Sequence, residues 1–315
     1  MVLIPLFLSS VLLSQTTSFT DYGSGTSADP YQIWNIEHWN ELVDSCDKYP
    51  NISIGNHFRL MQNIDAPITQ RIRGFRGSFW GNGNTITIDI GSIHFFSTGI
   101  GIGPNWQIID SLVVAGNGWF GAANSGTINN SVNYATSLFL GNISLGGIVH
   151  HNSNSGIISY CINNGSITTN DRIGGIAGNN EGHIISCLNT GKITATNTSV
   201  GGIVGRSLNG QQTLRNSINI GSVEGFSGVS GIIGSFTENG THAIIQSFRD
   251  NINYGLVKGN SSVGGIVGWR NTRETVVTNC INLGVVEGVS NVGCIVGSGS
   301  GAITNCWWDK QLCPE

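Results

Sequence analysis

The sequence predicts an all-β protein, a right-handed parallel β-helix or solenoid, with a short capping helix near its start. Three observations predict it: one motif recurs along the chain, each repeat holds three short branched segments, and Gly or Asn bounds those segments. The recurring motif is V-G-G-I-V-G from Val200. Its other copies begin at Leu145, Ile173, Val229, Val263 and Val292, so the intervals are 28, 27, 29, 34 and 29 residues. Self-similarity at such a period is the signature of a stacked repeat architecture. One coil of about 27–34 residues per repeat follows from those intervals.

A second motif shares the period. It reads C-I-N-N-G-S-I from Cys161 and C-L-N-T-G-K-I from Cys187, and recurs from Ser217, Asn251 and Cys280. A branched pair precedes it: Ile157-Ile158, Ile184-Ile185, Thr213-Leu214, Ile244-Ile245 and Val276-Val277. Short branched runs punctuated by Gly and Asn read as strands and turns, so each coil is expected to hold three strands. The interior is expected to take Ile148, Ile176, Ile203, Ile232, Ile266 and Ile295, together with Ile162, Leu188, Ile218, Ile252 and Ile281. The column Asn163, Asn189, Asn219, Asn253, Asn282 reads as a structural amide ladder. The Gly two residues after each is expected to take positive φ at a corner.

The region 19–130 is less regular and is read as an N-terminal cap with irregular first coils, followed by regular repeats over 131–315. Asp29 to Ile33 reads as a strand. Asn35 is a candidate N-cap for a helix whose Ile36, Trp39, Leu42, Val43 and Cys46 share one face, stopped at Pro50. Such a helix would cover the open end of a solenoid, which otherwise invites edge pairing. Phe75 to Ile90 reads as a turn and a strand of period two.

Composition narrows the class. Only 10% of the residues are charged, against about 25% in an average soluble protein. With 46 glycines such a chain resembles a disordered one, but the fixed places of its branched residues argue for packing. The net charge of −4, without any basic stripe, argues against nucleic acid as a partner. Residues 1–18 read as a signal peptide: Val2 to Leu8 and Val11 to Leu13 are apolar, and small polar residues follow from Ser14. No later stretch has the length of a transmembrane segment, and the last residues carry no tail for a lipid anchor. The expected location is therefore secreted or extracellular, at most peripheral to a cell surface. Sequons at Asn51, Asn129, Asn142, Asn164, Asn197, Asn239 and Asn260 permit glycosylation there.

These residues resemble proteins carrying the GLUG motif, whose glycine, leucine, apolar, glycine core is matched by Gly-Ile-Val-Gly. The motif also occurs in bacterial surface proteins, among them the immunoglobulin A1 protease family outside its catalytic domain. Gly23 to Ile33 looks like the family's opening segment. Gly77 to Ile88 looks like its G-x-F-D-G-N-G-H-T-I segment, with Trp80 and Asn84 in place of Asp and His. Asn305 to Asp309 is similar to its closing N-C-Y-W-D. The resemblance implies a secreted or surface β-helix and no activity; the H-E-x-x-H of the family's zinc proteases does not occur in this sequence.

The reading of function is a non-catalytic secreted or cell-surface solenoid, structural or adhesin-like, with no catalytic, cofactor or metal residue identified. Its expected partner is a host or cell-surface glycan or protein. The alternative is a carbohydrate-active β-helix enzyme, a polysaccharide lyase or hydrolase, which needs clustered carboxylates with basic residues in a groove. The acids over 131–305 are scattered: Asp171, Glu181, Glu224, Glu238, Asp250, Glu274 and Glu287. Glu224, Lys258 and Glu287 hold one place in successive coils and read as an outer charge ladder. His150 and His151, adjacent on a strand, point opposite ways and do not share a metal. One of Trp307 and Trp308 is expected to plug the last coil, with sugar stacking as the other role considered. Of the seven cysteines, Cys161 and Cys187 are expected to stack as free buried thiols. Coil spacing leaves their Cβ atoms about 4.8 Å apart, where a disulfide prefers about 3.8 Å. Cys306 with Cys313 is the better disulfide candidate.

Overall fold

A computed structural model of the chain describes residues 17–49, 51–96, 108–139, 141, 143–208, 212–237, 245–270 and 276–313. The signal-peptide reading of residues 1–18, the helix stop at Pro50 and the sequons at Asn142 and Asn239 fall wholly or mainly outside the described residues. The fold is a parallel β-solenoid of about 8 turns with one helix near its start. Every strand pairs in parallel with its counterpart one coil away.

One coil shows how the repeat is laid out. It runs through five short segments, not three: Ile157–Ser159, Ile162–Asn163, Ile167–Thr169, Ile173–Gly174 and Ala177–Asn180. Stacking assembles the first segments into an 11-stranded sheet and the third and fourth into two 6-stranded sheets. Second and fifth segments join one 16-stranded sheet, because the long strand Val113–Asn124 pairs with both Val132–Asn133 and Val149–Asn152.

The glycines of the V-G-G-I-V-G motif explain the extra segments. A Cβ on Gly178, Gly205 or Gly234 would lie within 2.6 Å of the backbone of Leu145, Ile173 or Val200 one coil earlier. The fifth segment thus touches the preceding fourth segment backbone to backbone, and no side chain fits between. This waist divides the interior into two cores. The larger runs from Phe19 to Ile295 and takes Ile148, Ile176, Ile203, Ile232, Ile266 and Ile295 as expected. The smaller holds Leu145, Ile167, Ile173, Ile193, Val200, Val223, Val229, Val257 and Val263, begun by Trp119.

Two sequence expectations are corrected inside the coil. Ile162, Leu188, Ile218, Ile252 and Ile281 are not interior but only half-buried. Their neighbours on both sides, Cys161 with Asn163 and Cys187 with Asn189, are the buried ones, because alternation along a strand sends the middle residue out. Second, Gly165, Gly191, Gly221, Gly255 and Gly284 do not need positive φ. A Cβ on Gly191 would sit 2.1 Å from the carbonyl oxygen of Gly165, so small size is what the column requires. The left-handed corner lies elsewhere, at Tyr160, Ser186, Asn216, Asp250, Asn279 and Asn305, with φ between 50° and 59°. A register shift after Gln212 places Phe248 opposite Leu214, and Phe248 is buried.

The N-terminal helix, the alternation of Thr85 to Ile90 and the asparagine column match the sequence reading. The helix α1 spans Ile36–Lys48, and the Asn35 side chain accepts the His38 N–H at 2.9 Å. Trp39, Leu42, Val43 and Cys46 are buried, and Trp39 stacks on Phe95 at 4.9 Å. Burial pushes the Cys46 thiol pKa up to about 11. Thr85 to Ile90 alternates as expected, with Ile86, Ile88 and Ile90 inside. The asparagine column is a continuous ladder. The amides of Asn133, Asn163, Asn189, Asn219 and Asn253 each donate to the next carbonyl oxygen at 2.8 Å.

Both ends close the stack. Trp308 packs against the core where the next Asn of the ladder would stand, while Trp307 is exposed. Cys161 and Cys187 are free and buried, as expected. The disulfide, however, joins Cys294 to Cys313 and leaves Cys306 a free thiol. Cys294 replaces the second Gly of the motif. In earlier coils that Gly abuts an asparagine amide and the next coil, as Gly265 abuts Asn282 and Cys294. In the last coil a side chain fits, and the Asp309 turn, where the Cys313 N–H reaches the Asp309 carbonyl at 3.0 Å, brings Cys313 to it.

Candidate functional site

Past the waist, the residue after each closing Gly faces outward. Register aligns His151, Asn179, Arg206, Ser235, Trp269 and Ser298 in one outer column. The facing wall comes from the corner that leads into the fourth segment. There Arg172, Ser199, Gly228 and Ser262 adopt positive φ, from 35° to 63°. Between the walls lies a groove of about 380 Å³, lined among others by Asp171, Arg172, Thr198, Arg206, Ser227 and Trp269.

Hydrogen bonds shape this groove. The Arg172 Nε donates to Asp171 Oδ2 at 2.8 Å, and the Thr198 hydroxyl donates to Asp171 Oδ1 at 3.1 Å. The Ser199 and Ser235 hydroxyls meet across the walls at 2.7 Å. The Arg206 Nε is buried with no hydrogen-bond partner among the described residues. Burial, then the nearby Arg172 charge, hold the Arg206 guanidinium below its ordinary pKa, against the pull of Asp171. Two guanidiniums therefore share one carboxylate among the described lining residues, which together carry net positive charge. Trp269 adds a partly exposed ring two coils from Arg206.

The sequence reading did not see this groove. It noted Asp171 only as a scattered acid and passed over Arg206 and Trp269. Aligning the residue after each G-I-V-G brings the column out, since polar, cationic and aromatic residues replace one another there.

The residues singled out in the sequence fall elsewhere. Glu224, Lys258 and Glu287 stack in register, with Lys258 Nζ 3.5 Å from Glu287 Oε2. Lys192 extends that ladder, 3.7 Å from Glu224. All of these groups are half-exposed or more, so each pair contributes at most about 1 kcal/mol. His150 points inward and His151 outward, toward Glu181 at 3.8 Å. Unforeseen is the partner of His150: His94 Nε2 approaches its Nδ1 at 2.8 Å, and both rings flank Trp119. His150 stands where later coils carry Gly178, Gly205, Gly234, Gly268 and Gly297. It fits because Leu145–Gly146 begins its sheet, so among the described residues no fourth segment lies beneath it. Burial, then Arg71, lower the His94 pKa to about 4, and burial, then His94, hold His150 well below its ordinary value. Both rings are neutral near pH 7. Two imidazoles alone make a poor metal site, and no group of three or more His, Cys, Asp or Glu is placed to hold a metal among the described residues.

No known protein-family profile matches the chain, and no curated protein sequence matches it significantly. Among solved structures it is similar to a putative immunoglobulin A1 protease from Bacteroides ovatus. The identity is 19%, over 91% of this chain and 77% of that one, with a TM-score of 0.44. At that score the likeness carries no argument about fold or activity.

Proposed function

We propose that this protein is a non-catalytic, secreted or cell-surface solenoid of the GLUG-motif kind that binds a surface ligand through its outer groove. One observation carries the reading. The groove presents hydroxyls, a guanidinium and an indole on a rigid stack, while the Asp171 carboxylate is engaged by Arg172 and Thr198. Hydrolysis of a glycoside by a carboxylate pair needs a second acid about 5–10 Å from the first. The described lining residues supply none. Such a surface suits recognition, in which rigid aromatic and polar contacts position a ligand without reacting with it. No described helix is long and apolar enough to cross a membrane.

The purified protein is expected to bind a glycan array or host cells without releasing new reducing ends or unsaturated sugars from polysaccharides. Product release that is lost in Asp171→Asn would replace this reading with the carbohydrate-active enzyme. Protein recovered from culture medium is expected to begin between Gln15 and Phe19; an intact Met1 on a cytosolic product would remove the secretion.

A further inference from the structure

We infer that the groove recognises an anionic oligosaccharide, Arg206 binding a carboxylate or sulfate and Trp269 stacking on a sugar ring; this rests on the binding function just proposed. The charge argument comes first. Asp171 is held at both oxygens, by Arg172 and by Thr198, so among the described lining residues Arg172 and Arg206 share one carboxylate that is already engaged. The Arg206 Nε is also a buried donor without a partner. A carboxylate or sulfate at the terminal guanidinium nitrogens matches the planar geometry and the charge of the group together. The proximity of Arg172, which already lowers the Arg206 pKa, makes an added negative charge favourable.

Geometry then sets the length of the ligand. Arg206, Ser235 and Trp269 are register neighbours in successive coils. Parallel strands are about 4.8 Å apart, so the guanidinium and indole rows are about 10 Å apart along the stack. That span calls for an oligosaccharide lying along the solenoid axis. Between the two anchors the Ser227 side chain is partly exposed, whereas Ser199 and Ser235 are buried and bonded to each other and Ser262 is buried on the corner wall. The Ser227 hydroxyl is left to meet the hydroxyl-rich edge of a sugar chain. The Trp269 ring is exposed enough to stack on a pyranose face, and a partly buried indole does so without large loss of side-chain entropy.

The test uses the whole secreted protein and three probes: an unsulfated chondroitin tetrasaccharide, its sulfated form and neutral chitotetraose. Titration calorimetry is expected to detect the anionic probes and at least tenfold weaker binding of the neutral one. Preference between the first two separates carboxylate from sulfate. Arg206→Ala is expected to reduce anionic binding tenfold or more, and Trp269→Ala to weaken it severalfold. Asp171→Asn frees Arg172 and is expected to strengthen binding. If Arg206→Ala does not fold, Arg206→Gln and Trp269→Ala read the same groove, with thermal melts reporting the fold. Equal binding of neutral and anionic probes overturns the charge assignment. Glycan or cell binding unaffected by folded Arg206 and Trp269 variants overturns the groove and leaves the binding function standing. Absence of any binding on the array and on cells overturns both.

Discussion

At the scale of single residues, the stack depends on atoms that most folds leave at the surface. Asn189 is fully buried, receives the Asn163 amide, and donates to Asn219 and to the Gly191 carbonyl, each within 2.9 Å. Replacing it with Ala orphans those three partners at about 1–3 kcal/mol each, so urea denaturation should show a loss of roughly 3 kcal/mol or more. Asn197 is exposed on a corner, and Asn197→Ala should cost about 0.5 kcal/mol or less in the same assay. The His94–His150 pair predicts a pH dependence. Unfolded histidine titrates near 6.5, but in the folded chain the His94 pKa is lowered to about 4 and that of His150 well below its ordinary value. The unfolded chain thus binds more protons below pH 6.5. Stability is full above that pH and falls as the pH drops through 6.5 toward about 4. Urea midpoints measured from pH 7.5 to 4 should decline over this window, and the slope should shrink in His94→Gln.

At the scale of elements, each coil segment contributes according to which way its residues point. Ile203 and Ile266 lie fully inside the larger core, so Ile→Ala at either site should cost about 2–5 kcal/mol. Ile218, also branched and also repeated, is only half-buried between coils, and Ile218→Ala should cost clearly less. Equal losses at Ile203 and Ile218 would show that the inward column is misassigned. Helix α1 acts as an element through Trp39, which meets Phe79 and Phe95. Trp39→Ala should cost roughly 3–5 kcal/mol, read by thermal melting, because it leaves a large cavity at the start of the stack.

At the scale of the whole molecule, stability is a sum over neighbouring coils, so an end is where unfolding starts. The Cys294–Cys313 bond closes a stretch of 19 residues over the last coil. Its removal in Cys294→Ser/Cys313→Ser should cost about 2–4 kcal/mol locally. Faster amide exchange is expected first over residues 276–308, with residues 157–207 unchanged; uniform acceleration along the chain would mean the solenoid unfolds as one unit instead.

Much of this fold was legible in the sequence because its repeats are in phase with its coils. The period, the inward Ile of each G-I-V-G, the amide ladder and the Asn35-capped helix all follow from local pattern, since a column of identical residues must meet identical surroundings in every coil. Other features depend on what lies across the coil, and no local pattern records that. The waist needs two backbones to touch, and it turned one expected core into two. The glycines after the ladder are small because a carbonyl from the coil before stands where a Cβ would go, not because a corner demands positive φ. Cys313 joins Cys294 rather than Cys306 because the last coil leaves a vacant glycine position. The groove belongs to the same class. Arg206, Trp269 and Asp171 lie far apart in the chain, and only the stacking of coils places them along one cleft.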